Sequence, residues 1–287
     1  MQIKANNVSH VYMPGTPFEK AAISNVNVTL PPHTFTSVIG RTGSGKSTFV
    51  QLINGLLKPV EGSLTVGDFT ITKHTKQREL YELRRKAGMV FQYPEHQLFE
   101  ETILRDVAFG PENYGMTAAE AEKTAREQLA VTGIGENLFE RSPFELSGGQ
   151  MRRAAIAGVL ALEPQVLILD EPTAGLDPQG QEDIMKMFNE WFHSDKQRSV
   201  ILVTHNMEDA AAYSDQILVM DSGRLQFYGT PGDVFSRQEE LMKLGLSVPE
   251  SMRFLSKLAA KSGREITIER FRLQDTVNEI VSFLGKD

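Results

Sequence analysis

Short, continuous apolar runs alternate with amphipathic stretches through the middle of the chain. The runs occupy residues 35–39, 165–169 and 199–204, and each is bounded by polar or turn-forming residues. Continuous apolar strands are typical of a sheet that is covered on both faces. A helical periodicity over 180–192 separates two of the runs. Strands that alternate with helices in this way predict an α/β fold with a largely parallel sheet.

Regions of different character surround this alternating core. Residues 1–36 and 63–71 contain short β-prone stretches broken by turns, whereas 94–164 is mostly helical. The clearest helix is predicted over 117–131, where a threonine followed three residues later by a glutamate resembles a capping box. The last part of the chain, 231–287, is amphipathic and charged, which predicts a small helical extension.

Composition narrows the class of protein without revealing its activity. The longest apolar run, 154–162, is about half as long as a membrane-spanning helix, so we expect no span in this chain. The first residues lack an apolar stretch, so we expect no secretory signal. Absence of cysteine excludes a disulfide framework and cysteine-ligated metal. A net charge of −7 argues against a broad nucleic-acid footprint, and we expect no nucleic-acid partner.

A glycine-rich turn between a predicted strand and a predicted helix carries the first chemistry. Residues 40–47 match the Walker A pattern G-x-x-x-x-G-K-[ST], although a glycine-rich connector could contain lysine by chance. In this pattern, backbone N–H groups and the helix N-terminus surround phosphate oxygens. Lys46 is expected to reach the β- and γ-phosphates of ATP, and Ser47 to ligate Mg²⁺. The predicted ATP contacts are Gly40, Arg41, Thr42, Gly43, Ser44, Gly45, Lys46, Ser47 and Thr48.

The run at 165–169 is followed by two carboxylates, Asp170 and Glu171. Such a pair could simply cap the next element. P-loop chemistry, however, needs an aspartate on a neighbouring strand to hold Mg²⁺, which favours Asp170 as a metal ligand. Glu171 would then lie beside the γ-phosphate, where a carboxylate can deprotonate the attacking water.

The segment Leu-Ser-Gly-Gly-Gln at 146–150 precedes another predicted helix. It could be a helix cap, but a serine hydroxyl, glycine amides and a helix N-terminus also form an anion site. Together with Walker A and the acidic pair, it resembles the signature of the ABC transporter ATPases. Four further elements fall in the family's order: Tyr12 (adenine-stacking aromatic), Gln92 (Q-loop), 174–177 (D-loop) and His205 (switch histidine).

The resemblance covers about residues 1–230 and implies an architecture. It implies a P-loop NTPase with a RecA-like core, an antiparallel β subdomain, a helical subdomain inserted at about 94–164, and the extension at 231–287. In this family, two ATPase domains pack head to tail, and the signature of one closes over the ATP held by the other. The implied roles are catalysis for Glu171, His205 and Gln92, a metal contact for Gln92, and contacts to the partner's ATP for Ser147, Gly148, Gly149 and Gln150.

Three classes of ABC ATPase compete. A DNA-repair or chromosome ATPase would need a long coiled-coil insertion, and residues 49–145 contain no sustained heptads. A translation-associated ABC protein carries two cassettes, whereas this chain has one. The remaining class is the motor subunit of a membrane transporter. Without spans of its own, such a subunit is expected to bind separate membrane proteins, as a peripheral protein on the cytoplasmic face of the cell membrane.

A finer resemblance lies beside the Q-loop and the signature. Segments 91–100, 106–111 and 151–158 are similar to those of the ATPases of energy-coupling factor (ECF) importers, and the first is most similar to the A2-type subunit. This implies uptake of a vitamin or other micronutrient, with a related second ATPase, a transmembrane coupling protein and exchangeable substrate-binding membrane subunits. The alternatives are another ABC importer or a cobalt or nickel uptake system. In such systems, selectivity for the transported substrate belongs to another polypeptide.

The segment 93–110 is unusually apolar for a surface region. Some of its side chains must belong to the core, and any that are exposed are expected to form a docking patch for the membrane partner. The alternative is that all of them pack inside the helical subdomain. The six residues concerned are Tyr93, Leu98, Phe99, Ile103, Val107 and Phe109.

Overall fold

The computed structural model describes residues 1–285; the last two residues of the predicted extension, 286–287, lie outside the described residues. The strands are β1 (Ile3–Tyr12), β2 (Lys20–Leu30), β3 (Phe35–Ile39), β4 (Glu61–Val66), β5 (Phe69–Ile71), β6 (Ala87–Val90), β7 (Val166–Asp170), β8 (Ser199–Val203), β9 (Gln216–Asp221) and β10 (Arg224–Gly229). The helices are α1 (Lys46–Asn54), α2 (Tyr81–Lys86), α3 (Ile103–Asn113), α4 (Ala118–Val131), α5 (Gly148–Leu160), α6 (Pro178–His193), α7 (Met207–Tyr213), α8 (Pro231–Phe235), α9 (Gln238–Lys243), α10 (Glu250–Ser262) and α11 (Leu273–Leu284).

The central sheet has the strand order β10-β9-β3-β8-β7-β6. Its neighbours are parallel except at the β9–β10 edge, so the predicted α/β fold with a largely parallel sheet is confirmed. Strands β3, β7 and β8 are buried along their whole length, as their continuous apolar sequences require. Because parallel strands end at the same edge of a sheet, the loops after these three strands meet there.

A second, antiparallel sheet has the order β2-β1-β4-β5. Alternate residues of β1 and β2 face inward, which is the pattern of a sheet with one solvated face. Ile3, Val26 and Leu64 from this sheet share a buried cluster with Phe49 of α1 and Val203 of β8. The shared cluster fixes the end of β1 beside the start of α1.

Helices α3, α4 and α5 enclose a core of their own. Ile103, Val107, Leu129 and Phe139 are fully buried within it. The predicted capping box is confirmed. The Thr117 hydroxyl accepts from the backbone N–H of Glu120, and the Glu120 carboxylate accepts from the backbone N–H of Thr117. The helical character predicted between 94 and 164 is therefore present.

The C-terminal extension contains α8–α11 and is mostly helical, as predicted. Its first part is not peripheral, since Phe235 and Met252 are fully buried and share a core cluster with Ile39 of β3. The extension also reaches α7, where the Glu208 carboxylate accepts from the backbone N–H of Glu250 at 2.8 Å. Within residues 1–285, no helix combines the length and apolar character needed to cross a membrane.

Candidate nucleotide site

The loop between β3 and α1 wraps around the side chain of Lys46. This lysine is only 6% exposed, and its Nζ donates to the carbonyl oxygens of Gly40 at 2.8 Å and Arg41 at 3.1 Å. Burial lowers the pKa of Lys46, and the nearby carboxylates of Glu171 and Asp170 act in the opposite direction. The ammonium group is thus held at the N-terminal end of α1, where an anion is favoured.

Gly45 is the residue that permits this geometry. It has φ 101° and caps α1, a conformation that residues with a Cβ rarely adopt. A Cβ placed there would lie 2.6 Å from the carbonyl oxygen of Ala22 and 2.9 Å from Ile23. The loop can therefore lie this close to β2 only with glycine at position 45.

Ser47 and Asp170 bring together two oxygen groups of the kind that bind Mg²⁺. The Ser47 hydroxyl donates to Asp170 Oδ1 at 3.1 Å. Burial raises the pKa of Asp170, the Glu171 charge adds to this, and the Ser47 hydrogen bond and Lys46 oppose it. A nearby cation would favour the ionised form of this carboxylate. Since Mg²⁺ is usually held by one or two protein oxygens together with phosphates and water, this pair fits the ion.

Glu171 directly follows β7 and meets two other predicted residues. Its Oε2 accepts from Gln92 Nε2 at 3.2 Å and lies 3.4 Å from His205 Nδ1. The Glu171 backbone has φ 50°, which is uncommon for a residue with a side chain and is concentrated at functional sites. The three residues line a cavity of about 390 Å³. The sequence predicted a strand that ends before Asp170, whereas Asp170 is the last residue of β7. His205 lies two residues beyond the end of β8.

Tyr12, the predicted adenine-stacking residue, lies at the end of β1. Its hydroxyl is 3.1 Å from the Thr48 hydroxyl. Tyr12 lines a cavity of about 170 Å³ together with Gly43, Lys46 and Ser47. The structure therefore places this ring beside the Walker A loop.

The signature segment lies apart from both cavities and lines neither. Ser147 caps α5: its hydroxyl accepts from the Gln150 N–H at 3.3 Å, and Gln150 Oε1 accepts from the Ser147 N–H at 3.0 Å. Gly148 and Gly149 are exposed, and a Cβ on either would have no neighbour within 4 Å. The N-terminus of α5 is consequently open to a group from outside the chain.

Comparison with known proteins places these motifs in a family. The ABC transporter family model matches residues 23–174. A curated relative from Bacillus licheniformis, the energy-coupling factor transporter ATP-binding protein EcfA2, is 50% identical over 100% of this chain and 99% of its own length. The protein of the same name from Halalkalibacterium halodurans is 51% identical, over 96% of each chain.

The chain belongs to the ABC transporter ATPases. Within them it belongs with the ATP-binding proteins of energy-coupling factor transporters.

Solved structures agree with this assignment. The cassette resembles cbiO1 from Clostridium perfringens, described as part of the ABC transporter complex cbiONQ, with a TM-score of 0.71 and 37% identity over 84% of this chain and 93% of that one. It also resembles the ATP-binding cassette MJ0796 in a dimeric post-hydrolysis state with ADP and Pi, with a TM-score of 0.71 and 31% identity over 79% of this chain and 98% of that one. The expected fold class, a P-loop ABC ATPase, is confirmed.

Two residues of the cassette, Arg152 and Glu95, were assigned no individual role from the sequence. Arg152, two residues after the signature, is 3% exposed and forms an ion pair at 2.8 Å with Glu95, which follows the Q-loop. Arginine side chains mostly lie at the solvated surface, and Arg152 stands beside a second arginine in α5, so sequence alone offered no reason to select it. The tertiary contact is the only signal.

Proposed function

We propose that this chain is the ATP-hydrolysing subunit of an energy-coupling factor importer, working as one half of a two-site ATPase dimer. The observation that carries the proposal is the position of Glu171. It joins Gln92 and His205 on one side and, through Asp170 next to it, the Ser47 hydroxyl on the other. A candidate base is thereby placed next to a candidate phosphate site.

In this proposal, the Walker A loop binds the phosphates of ATP through its backbone N–H groups, and Lys46 exchanges its carbonyl partners for phosphate oxygens. Ser47 and Asp170 would hold Mg²⁺, which neutralises charge on the phosphates when bound. Glu171 accepts a proton from the attacking water. His205 and Gln92 orient the Glu171 carboxylate, because both lie within about 3.5 Å of its oxygen Oε2, and through it they orient the water.

The second half of the site would come from another ATPase. The open N-terminus of α5, with its two exposed glycines, can approach a phosphate more closely than a segment with larger side chains. The dimeric state described for MJ0796 supports such an arrangement. The partner is proposed to be a related ATPase chain, so that each signature completes the site of the other.

The membrane-facing surface is proposed to lie on segment 93–110. Ile103 and Val107 are buried, while Tyr93, Phe99 and Phe109 are 45%, 59% and 43% exposed. The reading in which all six apolar residues pack in the core is therefore wrong. The Phe99 and Phe109 rings meet edge to face with centroids 4.9 Å apart, which makes one continuous apolar patch.

Charge around this patch indicates the chemistry of its partner. Phe109 lines a cavity of about 260 Å³ together with Arg105 and four glutamates, Glu100, Glu112, Glu122 and Glu140. Arg105 and Arg126 lie within 4 Å of three of these carboxylates, so four negative charges face two positive ones and the set stays acidic. A short amphipathic helix with basic residues beside its apolar face would complement both the rings and the carboxylates. We therefore propose that the transmembrane coupling protein presents such a helix, and that the ATPase is peripheral at the cytoplasmic face.

The test is ATP turnover by the assembled transporter. The chain would be co-expressed with a candidate second ATPase and a candidate coupling protein from the same organism, reconstituted into liposomes, and supplied with MgATP. Turnover that is lost with Lys46→Ala supports the proposal. Turnover that is independent of this chain, or an assembly that forms without it, would overturn it.

A further inference from the structure

Arg152 is a buried cation that joins three segments of the cassette. Its Nε and Nη2 donate to Glu95 at 3.0 and 2.8 Å. Its Nη1 donates to the backbone carbonyls of Pro172 at 3.3 Å and Ala174 at 2.8 Å. Arginine can make these bonds together because its guanidinium is a rigid planar fork with five donors.

Each of these partners adjoins a functional element. Glu95 lies in the turn Pro94–Gln97, at the start of the proposed membrane-facing segment. Pro172 and Ala174 belong to the chain that leaves Glu171. Arg152 itself is in the first half of α5, just behind the signature. A single side chain of the signature helix is thus bonded both to the docking segment and to the chain just after the candidate base.

We propose that Arg152 is a positioning residue that holds Glu171 in register with the docking segment, so that engagement of the membrane partner alters the rate of ATP cleavage. This inference rests on the proposed function and adds a route between its two surfaces. Movement of Glu95 would be passed to the carbonyls of Pro172 and Ala174, one and three residues after Glu171, because the guanidinium is planar and bonded at both ends.

The surroundings of Arg152 favour such a role over simple stabilisation. A buried ion pair loses its hydration, and an apolar pair of the same shape often stabilises a fold equally well. Burial disfavours the charged form of Glu95, but the hydrogen bond from Arg152, a backbone hydrogen bond and the charges of Arg152 and His96 together outweigh this and lower the pKa of Glu95. The half-exposed Tyr93 ring also lies 5.9 Å from the guanidinium carbon. Contact at the outer surface therefore has a short path to the buried cation.

The test compares the same substitution at two adjacent arginines. Arg152→Lys keeps the charge but cannot reach Glu95 and both carbonyls together. Arg153→Lys is the matched control, since among the described residues Arg153 bonds Thr132 and Asp183, which lie outside the site. In the assembled transporter with MgATP, Arg152→Lys is expected to lower kcat by about 10- to 100-fold, the scale of a misplacement of about 1 Å. Nucleotide affinity and the kcat of the control should stay within about twofold of wild type.

A charge swap separates positioning from structure. The double variant Arg152→Glu with Glu95→Arg can restore the ion pair, but it places no donor at the two carbonyls. Thermal stability should recover relative to Arg152→Glu alone, whereas kcat should remain low. Recovery of kcat together with stability would overturn the inference, as would an Arg152→Lys enzyme as fast as the Arg153→Lys control. A wild-type assembly without ATP turnover would instead contradict the proposed function itself.

Discussion

Replacing Glu171 with glutamine changes the proposed base while leaving its surroundings intact. Glutamine has the same length and volume, and its carbonyl oxygen can still accept from Gln92, which lies 3.2 Å from the carboxylate. The left-handed backbone at position 171 makes the same demand on either residue, because both carry a Cβ. The main loss is therefore the basicity of one carboxylate.

The size of that loss can be bounded. General-base catalysis by a positioned side chain contributes about 10²- to 10⁴-fold, which corresponds to about 3–5 kcal/mol in the activation barrier. ATP binding should be almost unchanged, since Lys46 and the Walker A loop are untouched. We expect kcat of the assembled transporter to fall within that range, while the Kd for a fluorescent ATP analogue stays close to wild type.

The matched control is Glu163→Gln. Glu163 precedes β7 as Glu171 follows it, is exposed, and also has a positive φ, 49°. Unlike Glu171, it forms no hydrogen bond or ion pair with Gln92 or His205. ATPase rates measured over a range of MgATP concentrations separate kcat from KM for both variants. A Glu171→Gln enzyme that hydrolyses ATP as fast as Glu163→Gln would refute the assignment of the base.

Three further outcomes are expected. Lys46→Ala should weaken nucleotide binding by the isolated chain by about 10-fold or more, which is the value of a charge-assisted hydrogen bond. Ser147→Arg should leave that binding intact and inactivate the dimer. Equal losses of affinity for the two variants in ATP titrations would contradict a signature that acts across the dimer. Phe99→Glu should fold normally but fail to co-purify with the membrane subunit, while Phe254→Glu, an exposed phenylalanine on α10, should co-purify; equal retention of both would place the docking surface elsewhere. Burial and a neighbouring carboxylate raise the pKa of Asp209 to about 6. Between about pH 4 and pH 6 the folded protein therefore keeps a proton that the unfolded chain has lost. The free energy of unfolding falls over this range, and the full destabilisation by the buried charge is reached above pH 6. Asp209→Asn should then stabilise the fold by about 1–2 kcal/mol at pH 7.5, which raises Tm by about 2–3 °C for a chain of this length. The change should be smaller at pH 4.5, and thermal melts at both pH values would check this.

The sheet was predictable because burial on both faces leaves a continuous apolar run. Strand β3 matched its predicted bounds, while β7 was displaced by one residue, since pairing of Asp170 with Val203 extends the ladder to the carboxylate. Apolar character alone says nothing about where such a ladder ends. The nucleotide loop was predictable for another reason: its chemistry needs glycine, lysine and serine at fixed spacing.

Contacts between distant segments were not predictable in the same way. Ile103 and Phe99 have similar hydropathy and lie four residues apart, yet one is buried and the other exposed. Arg152 is one of two adjacent arginines, and only the packing of α5 against the turn at Glu95 distinguishes it from Arg153. These outcomes depend on which side of a helix meets its neighbour, and that information is spread over the whole fold.

The packing of the C-terminal extension limits how the chain can be shortened. Because Phe235, Leu241 and Met252 share a core with Ile39 of the nucleotide-binding sheet, removal of residues after 230 would expose one side of the catalytic fold to water. A chain that is cut after residue 230, alone or fused to another protein, is therefore expected to aggregate rather than to work as a shortened ATPase. Chimaeras between relatives should exchange the extension together with the sheet on which it packs.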